Sequence, residues 1–145
     1  MKQSFHEFEL DDSLARVDFA TVHAWLTTTY WSPAITRDRV ETGATNSSLV
    51  VGAYAPTGQQ AGFLRVVSDR TRFAYVADVF VGDAFRKRGL AKAMVRFAMQ
   101  HPHHTQIDKW LLATKDAQAI YESLGFKLLP NPENYMVFKP GKDPT

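Results

Sequence analysis

The sequence predicts a single mixed α/β domain over residues 1–145, built around a strand–loop–helix unit. Three observations predict it. Residues 49–81 run as apolar stretches separated by short turn-forming clusters, the pattern of an antiparallel meander. Phe73–Val81, "FAYVADVFV", is apolar on both faces, as a central strand is. From Leu90 the apolar period changes from that of a strand to that of a helix.

Each element follows in order. "FHEFEL" alternates weakly and supplies a first strand. Asp18 can cap a helix over Phe19–Thr28, with Phe19, Val22 and Leu26 on one face. Pro33 in "YWSPAIT" breaks that helix, and a short one follows through Arg39 and Val40. "SLVVGAY" is a strand, "APTGQQ" a turn, "AGFLRVVS" the next strand and Asp69–Arg72 the next turn. After the central strand, Leu90, Met94, Phe97 and Ala98 form a helical stripe opposite Lys92, Arg96 and Gln100. "HPHH" ends that helix, since Pro102 cannot continue it. "KWLLAT" is a short strand. Ala117, Ile120, Tyr121 and Leu124 mark a second helix, with Gly125 where a left-handed cap belongs. "FKLL" and "YMVFK" supply the last strands, and the polar tail "KPGKDPT" frays.

Composition narrows the function classes. With 45% apolar and 22% charged residues the chain is an ordinary globular one, and a net charge of +2 gives no general affinity for nucleic acid or membrane. The absence of cysteine excludes disulfides, thiolate metal sites and a cysteine nucleophile, and fits a cytoplasmic protein. "MKQSFHEFELDD" has no apolar core of signal-peptide length, and no stretch approaches the roughly 18 apolar residues of a spanning helix. "HPHH" has no carboxylate or cysteine at ligand spacing, so it reads as a surface loop and no metal is expected.

The segment "FRKRGLAKAMVRFAM", from Phe85 to Met99, carries the functional signal. A strand, a basic loop with a glycine and then a helix present backbone N–H groups to an anion. Gly89 lets the main chain approach a phosphate without a Cβ clash, and Arg86, Lys87 and Arg88 add positive charge. Neither the Gly-Lys-Ser/Thr ending of a Walker loop nor the three glycines of a dinucleotide fingerprint is present. On spacing alone, a solvated basic turn before an amphipathic helix stands beside the phosphate-loop reading.

Two motifs decide between them. Arg86-Lys87-Arg88-Gly89-Leu90-Ala91 resembles the Arg/Gln-x-x-Gly-x-Gly/Ala loop of the GNAT superfamily of acyl-CoA N-acyltransferases, and "TKDAQAIYESLGF" resembles its second signature. The resemblance covers roughly residues 49–139, with Ala91 for the commoner glycine and Thr114 where many members have Asn. It implies a mixed, mostly antiparallel sheet flanked by helices, and binding of acetyl-CoA. The pyrophosphate would lie on the amides of residues 86–91. The pantetheine would run along Val79, Phe80 and Val81, with Thr114 and Asp116 further along the cofactor chain. Dimers are common in the family, so a homodimer is one assembly open to this chain.

Acetyl transfer to an amine requires an amine proton to leave, an oxyanion to be stabilised and a thiolate to be protonated or hydrogen-bonded. With no cysteine and no serine in a nucleophile-elbow pattern, direct transfer is favoured over a covalent enzyme intermediate. Tyr121 is the candidate donor to the thiolate; the alternative is a core aromatic in the stripe with Ala117, Ile120 and Leu124. Asp78, the only charged residue in Phe73–Val81, is the candidate base; the alternative is a structural carboxylate bonded to backbone or to Arg65. Strand parity places Val79, Ala77 and Tyr75, rather than Asp78, at the positions where family members carry their base, unless a bulge reverses it. Tyr30 and Trp31 lie in a segment that borders the acceptor site in this family, where they could wall a pocket or simply cover the core edge. The reading is an acetyl-CoA-dependent N-acetyltransferase for a primary amine on a small molecule, with no nucleic-acid or membrane partner. The alternatives are a protein-lysine or N-terminal acetyltransferase, and a CoA-binding regulatory module without turnover.

Overall fold

The computed structural model describes residues 1–141. The chain opens with a hairpin of β1 (Lys2–Phe5) and β2 (Phe8–Asp11), pairing Phe5 with Phe8. Its turn needs His6 at a φ of 52°. The single weak strand expected from "FHEFEL" is therefore two strands with a tight turn between them. Next comes α1 (Phe19–Leu26), where the Asp18 carboxylate accepts the Thr21 N–H, and then α2 (Arg37–Thr45), capped by Thr36.

The meander follows as β3 (Leu49–Tyr54), β4 (Gln60–Ser68) and β5 (Ala74–Val81). In the turn before β5 the Asp69 carboxylate accepts the amides of Thr71, Arg72 and Phe73, which hold its pKa at about 2. Helix α3 (Leu90–Gln100) then crosses to β6 (Trp110–Leu111), and α4 (Gln118–Glu122) closes the regular structure. The strands form one six-stranded sheet in the order β1-β2-β3-β4-β5-β6, antiparallel except for the parallel pair β5–β6.

Helices cover both faces, so the central strands carry apolar residues on both sides. Val51, Leu64 and Val76 pack with Met94, Phe97 and Ala98 of α3. On the other face Val50 and Phe63 pack with Val22 and Leu26 of α1 and with Val40 of α2.

The alternation changes within β5. Phe63 pairs with Phe80 and Arg65 with Ala77, so Asp78 and Val79 together oppose Leu64, and Asp78 has a φ of 56°. This is a β-bulge. Before it, Ala74 and Val76 face α3; after it, Val79 and Val81 do. The bulge turns the Asp78 side chain to the α1–α2 face, where it meets Arg65 and Trp31.

Five further segments differ from the sequence expectation. "HPHH" is only partly a surface loop: Pro102 and His103 are exposed, while His101 and His104 on either side of them are buried. His101 Nε2 lies 2.8 Å from Asp12 Oδ2. His104 Nδ1 donates to the Ala98 carbonyl at 2.7 Å, which leaves Nε2 to accept the Ser48 hydroxyl at 2.8 Å. The "KWLLAT" strand pairs over Trp110–Leu111 alone. The second helix is shortened to Gln118–Glu122. Gly125, at a φ of 100°, does cap it: Gly125 N–H donates to Glu122 and Phe126 N–H to Tyr121. Finally, "FKLL" and "YMVFK" form no strands and pair with nothing among the described residues. The last four residues of the polar tail lie outside the described residues.

Candidate active site

Strands β5 and β6 pair only at Ala74–Trp110 and Tyr75–Leu111. Beyond those pairs they part, and a cleft of about 1230 Å³ opens at the carboxyl end of β5. One wall is main chain. Phe80 and Val81 bond to β4 along one edge, and the other edge of Val79–Val81 faces the cleft.

The loop after β5 forms the cleft's basic end. Arg86 is held against the strand: Nη2 lies 2.9 Å from Asp83 Oδ1, and Nε donates to the Val81 carbonyl at 3.1 Å. Lys87 and Gly89 have φ values of 63° and 81°, and Gly89 is the N-cap of α3. No side chain caps this helix, and the first amide to find a helical carbonyl is that of Ala93. The amides of Leu90, Ala91 and Lys92 are left at the cleft with the positive end of the helix dipole behind them, a seat for an anion.

Tyr121 lines the opposite side and is only 7% exposed. Burial pushes its phenol above the usual value of 10.0, and Tyr30 and Asp116 add to the effect. The hydroxyl is thus protonated at neutral pH and available as a donor.

The mouth is crossed by the segment after α1. The Tyr30 hydroxyl accepts the Lys115 N–H at 3.1 Å, and Trp31 Nε1 donates to Asp78 Oδ1 at 3.2 Å. Asp78 Oδ2 accepts from Arg65 Nε at 2.7 Å. Both carboxylate oxygens are therefore engaged on the α1–α2 face of the sheet.

Of the residues singled out from the sequence, the cleft gathers Tyr30, Trp31, Val79, Phe80 and Val81, together with Arg86, Lys87, Gly89, Leu90 and Ala91. Asp116 and Tyr121 join them from the α4 side. Four stand outside its lining. Arg88 turns away to Glu7 at 2.9 Å. Thr114 accepts the Ala117 N–H at 3.1 Å and faces a separate groove beyond β6. Tyr75 sits where β5 and β6 are still paired, and Asp78 is held behind Trp31. The cleft also takes in Trp25, Thr28 and Thr29, which the sequence reading missed. Trp25 stacks on Phe80 with centroids 5.3 Å apart. Its one sequence signal is a large aromatic beside the buried stripe of α1.

The sequence matches the acetyltransferase (GNAT) family over residues 8–126. A solved structure from Xanthomonas campestris pv. campestris, assigned to the GNAT family of acetyltransferases, is 31% identical, covers 95% of this chain and 97% of its own, and superposes with a TM-score of 0.84. An acetyltransferase structure from Deinococcus radiodurans is 21% identical, with coverages of 97% and 94% and a TM-score of 0.73. Glucosamine-6-phosphate N-acetyltransferase from Arabidopsis thaliana shares the fold at 18% identity, with coverages of 93% and 99% and a TM-score of 0.67. No curated protein matches the sequence.

Proposed function

The chain belongs to the acetyltransferase (GNAT) family, and from that premise we propose that it moves an acetyl group from acetyl-CoA to a primary amine on a small molecule, directly and within a ternary complex. The observation that carries this reading is the uncapped N-terminus of α3 facing the same cleft as the unpaired edge of Val79–Val81. The amides of residues 90–92 suit a pyrophosphate. The free strand edge suits the amide groups of a pantetheine, which can bond to it as a further strand would.

In the proposed reaction the amine attacks the thioester carbonyl, a C–N bond forms and the C–S bond breaks. The amine loses a proton and the departing sulfur gains one. Tyr121 holds a proton that it can donate to the sulfur while a solvent proton restores the phenol. Asp78 is proposed as a positioning residue: it holds Trp31 over the acceptor side and anchors the bulge to Arg65. Its engaged oxygens favour that role over a base, and the amine proton then leaves to water.

The test is acetyl-CoA turnover against amino acids, polyamines, aminoglycosides, arylalkylamines and peptides, read as free thiol. Release with one amine class identifies the acceptor. Binding of acetyl-CoA without release across the panel would replace the enzyme with a CoA-binding module, and release with peptides alone would favour protein acetylation.

A further inference from the structure

The segment after α1 leaves two large aromatic faces at the mouth of the cleft. Tyr30 and Trp31 are 56 and 44% exposed, and their rings stand at 85° with centroids 5.0 Å apart. Both line the cleft, so the pair makes an open apolar corner there, which is costly in water until something covers it. The cleft's other aromatic pair is closed: Trp25 and Phe80 stack on each other, and Arg86 lies 5.4 Å from the Phe80 centroid. The polar groups of the segment are turned to the protein. The Thr28 and Thr29 hydroxyls donate to the Trp25 and Leu26 carbonyls at 2.6 and 2.7 Å. The Trp31 N–H is spent on Asp78, and the Tyr30 oxygen accepts the Lys115 N–H, which leaves one phenolic hydrogen free. The corner therefore offers ring faces and almost nothing to hydrogen-bond.

The corner offers no counter-ion either. Asp78 has both oxygens engaged, by Trp31 and by Arg65. Lys115 Nζ already lies 5.4 Å from the Tyr30 centroid, so a second cation brought to that ring would be repelled. Of the carboxylates that line the cleft, Asp83 is paired with Arg86, and Asp116 stands on the α4 side next to Lys115 in the chain. We propose that the acceptor carries its amine on a flat aromatic group, and that this group seats in the Tyr30–Trp31 corner; the inference rests on the acetyl transfer proposed above. A flat ring laid there meets one wall in offset stacking and the other edge to face, the two arrangements that aromatic rings prefer. A saturated ring is too thick for either. A polyamine or an aminoglycoside brings further ammonium groups that the corner has no free carboxylate to receive. Tyr30 and Trp31 are then the specificity-determining residues, and Asp78 sets the angle of the indole through its hydrogen bond.

The test compares phenethylamine, cyclohexylethylamine and spermidine as acceptors at saturating acetyl-CoA, read as free thiol. Two aromatic contacts should raise kcat/KM for phenethylamine about tenfold over cyclohexylethylamine, which has the same length but no flat ring. Spermidine should be the poorest of the three. Trp31→Leu should erase the advantage of the flat ring while the acetyl-CoA KM stays as in wild type, and Trp31→Phe, which keeps a ring, should retain most of it. The wild-type comparison decides the class even where Trp31→Leu fails to fold. Equal turnover of the two ring amines, or spermidine as the best acceptor, would overturn the class and leave acetyl transfer in place. A flat-ring advantage unchanged in a folded Trp31→Leu protein would overturn the seat. Acetyl-CoA binding without thiol release from any amine would remove the transfer itself, and the inference with it.

Discussion

Replacing Tyr121 by Phe removes one hydroxyl and little else. The ring is buried in the core cluster that includes α3, 6.1 Å from the Phe126 ring, and Phe fills the same volume. The melting temperature should therefore move little. The chemical effect follows from the place and state of the phenol. Burial keeps it protonated at neutral pH, so it can donate to a sulfur that gains charge as the C–S bond breaks. A hydrogen bond to a charged group is worth about 1.5–3 kcal/mol, or roughly tenfold to 150-fold in rate, and full general-acid catalysis would extend the loss to about a thousandfold. Because the bond strengthens only in the transition state, the loss should fall on kcat, with the acetyl-CoA KM nearly unchanged. The wild-type kcat should hold through mildly basic pH, since the phenol titrates above 10.0. Steady-state thiol release over a range of acetyl-CoA concentrations measures both constants. An unchanged kcat would refute the donor role even in an active acetyltransferase.

Gly89→Val should strain the loop by about 1–2 kcal/mol, because Gly89 holds a φ of 81°, and it should weaken CoA binding at least about tenfold by crowding the free amides; equal affinity by calorimetry would mean that the phosphates bind elsewhere. Asp78→Asn should cost roughly 1–3 kcal/mol in thermal unfolding by leaving Arg65 without its carboxylate, while the acidic limb of kcat/KM stays in place; loss of that limb would make Asp78 the base. His104 should impose an acid limit on stability. Burial lowers its folded pKa below the unfolded 6.5, so the unfolded state takes up the proton first. Its contribution is complete above 6.5 and declines as pH falls through that value toward the lower folded one. Thermal melts at neutral and mildly acidic pH should show the decline, and a His104→Gln variant should lack it; parallel curves would clear His104 of the effect.

The elements with long, repeated patterns were legible in the sequence. The four-residue stripe of α3, the meander and both Asp18 and Gly125 caps sit where periodicity and cap chemistry placed them. The glycine that opens α3 was legible too, because its signal is local: Gly89 holds a positive φ directly before the helix. What could not be read depends on contacts distant in sequence. The bulge at Asp78 arises from register against β4, which no local pattern encodes, and it decides which side the carboxylate faces. The buried roles of His101 and His104 depend on Asp12 and Ser48, far along the chain. Arg88 looked like its two basic neighbours until the β1–β2 hairpin supplied Glu7. "YMVFK" has the composition of a strand, but a strand also needs an edge aligned to receive it.

The cleft is assembled from two different kinds of material. The end proposed to hold the acyl donor consists of peptide groups: three amides at the start of α3 and the edge of Val79–Val81. The end proposed to hold the acceptor consists of side chains on the segment after α1, with Tyr30 and Trp31 fastened by one hydrogen bond each. Substitution rewrites side chains but leaves peptide groups as they are. Over evolutionary drift, then, the two ends age at different rates: the donor end resists change at almost every position but Gly89, while the acceptor end can be recast by exchanging a few residues on one loop. A scaffold of this kind can keep its acyl donor and trade its acceptor.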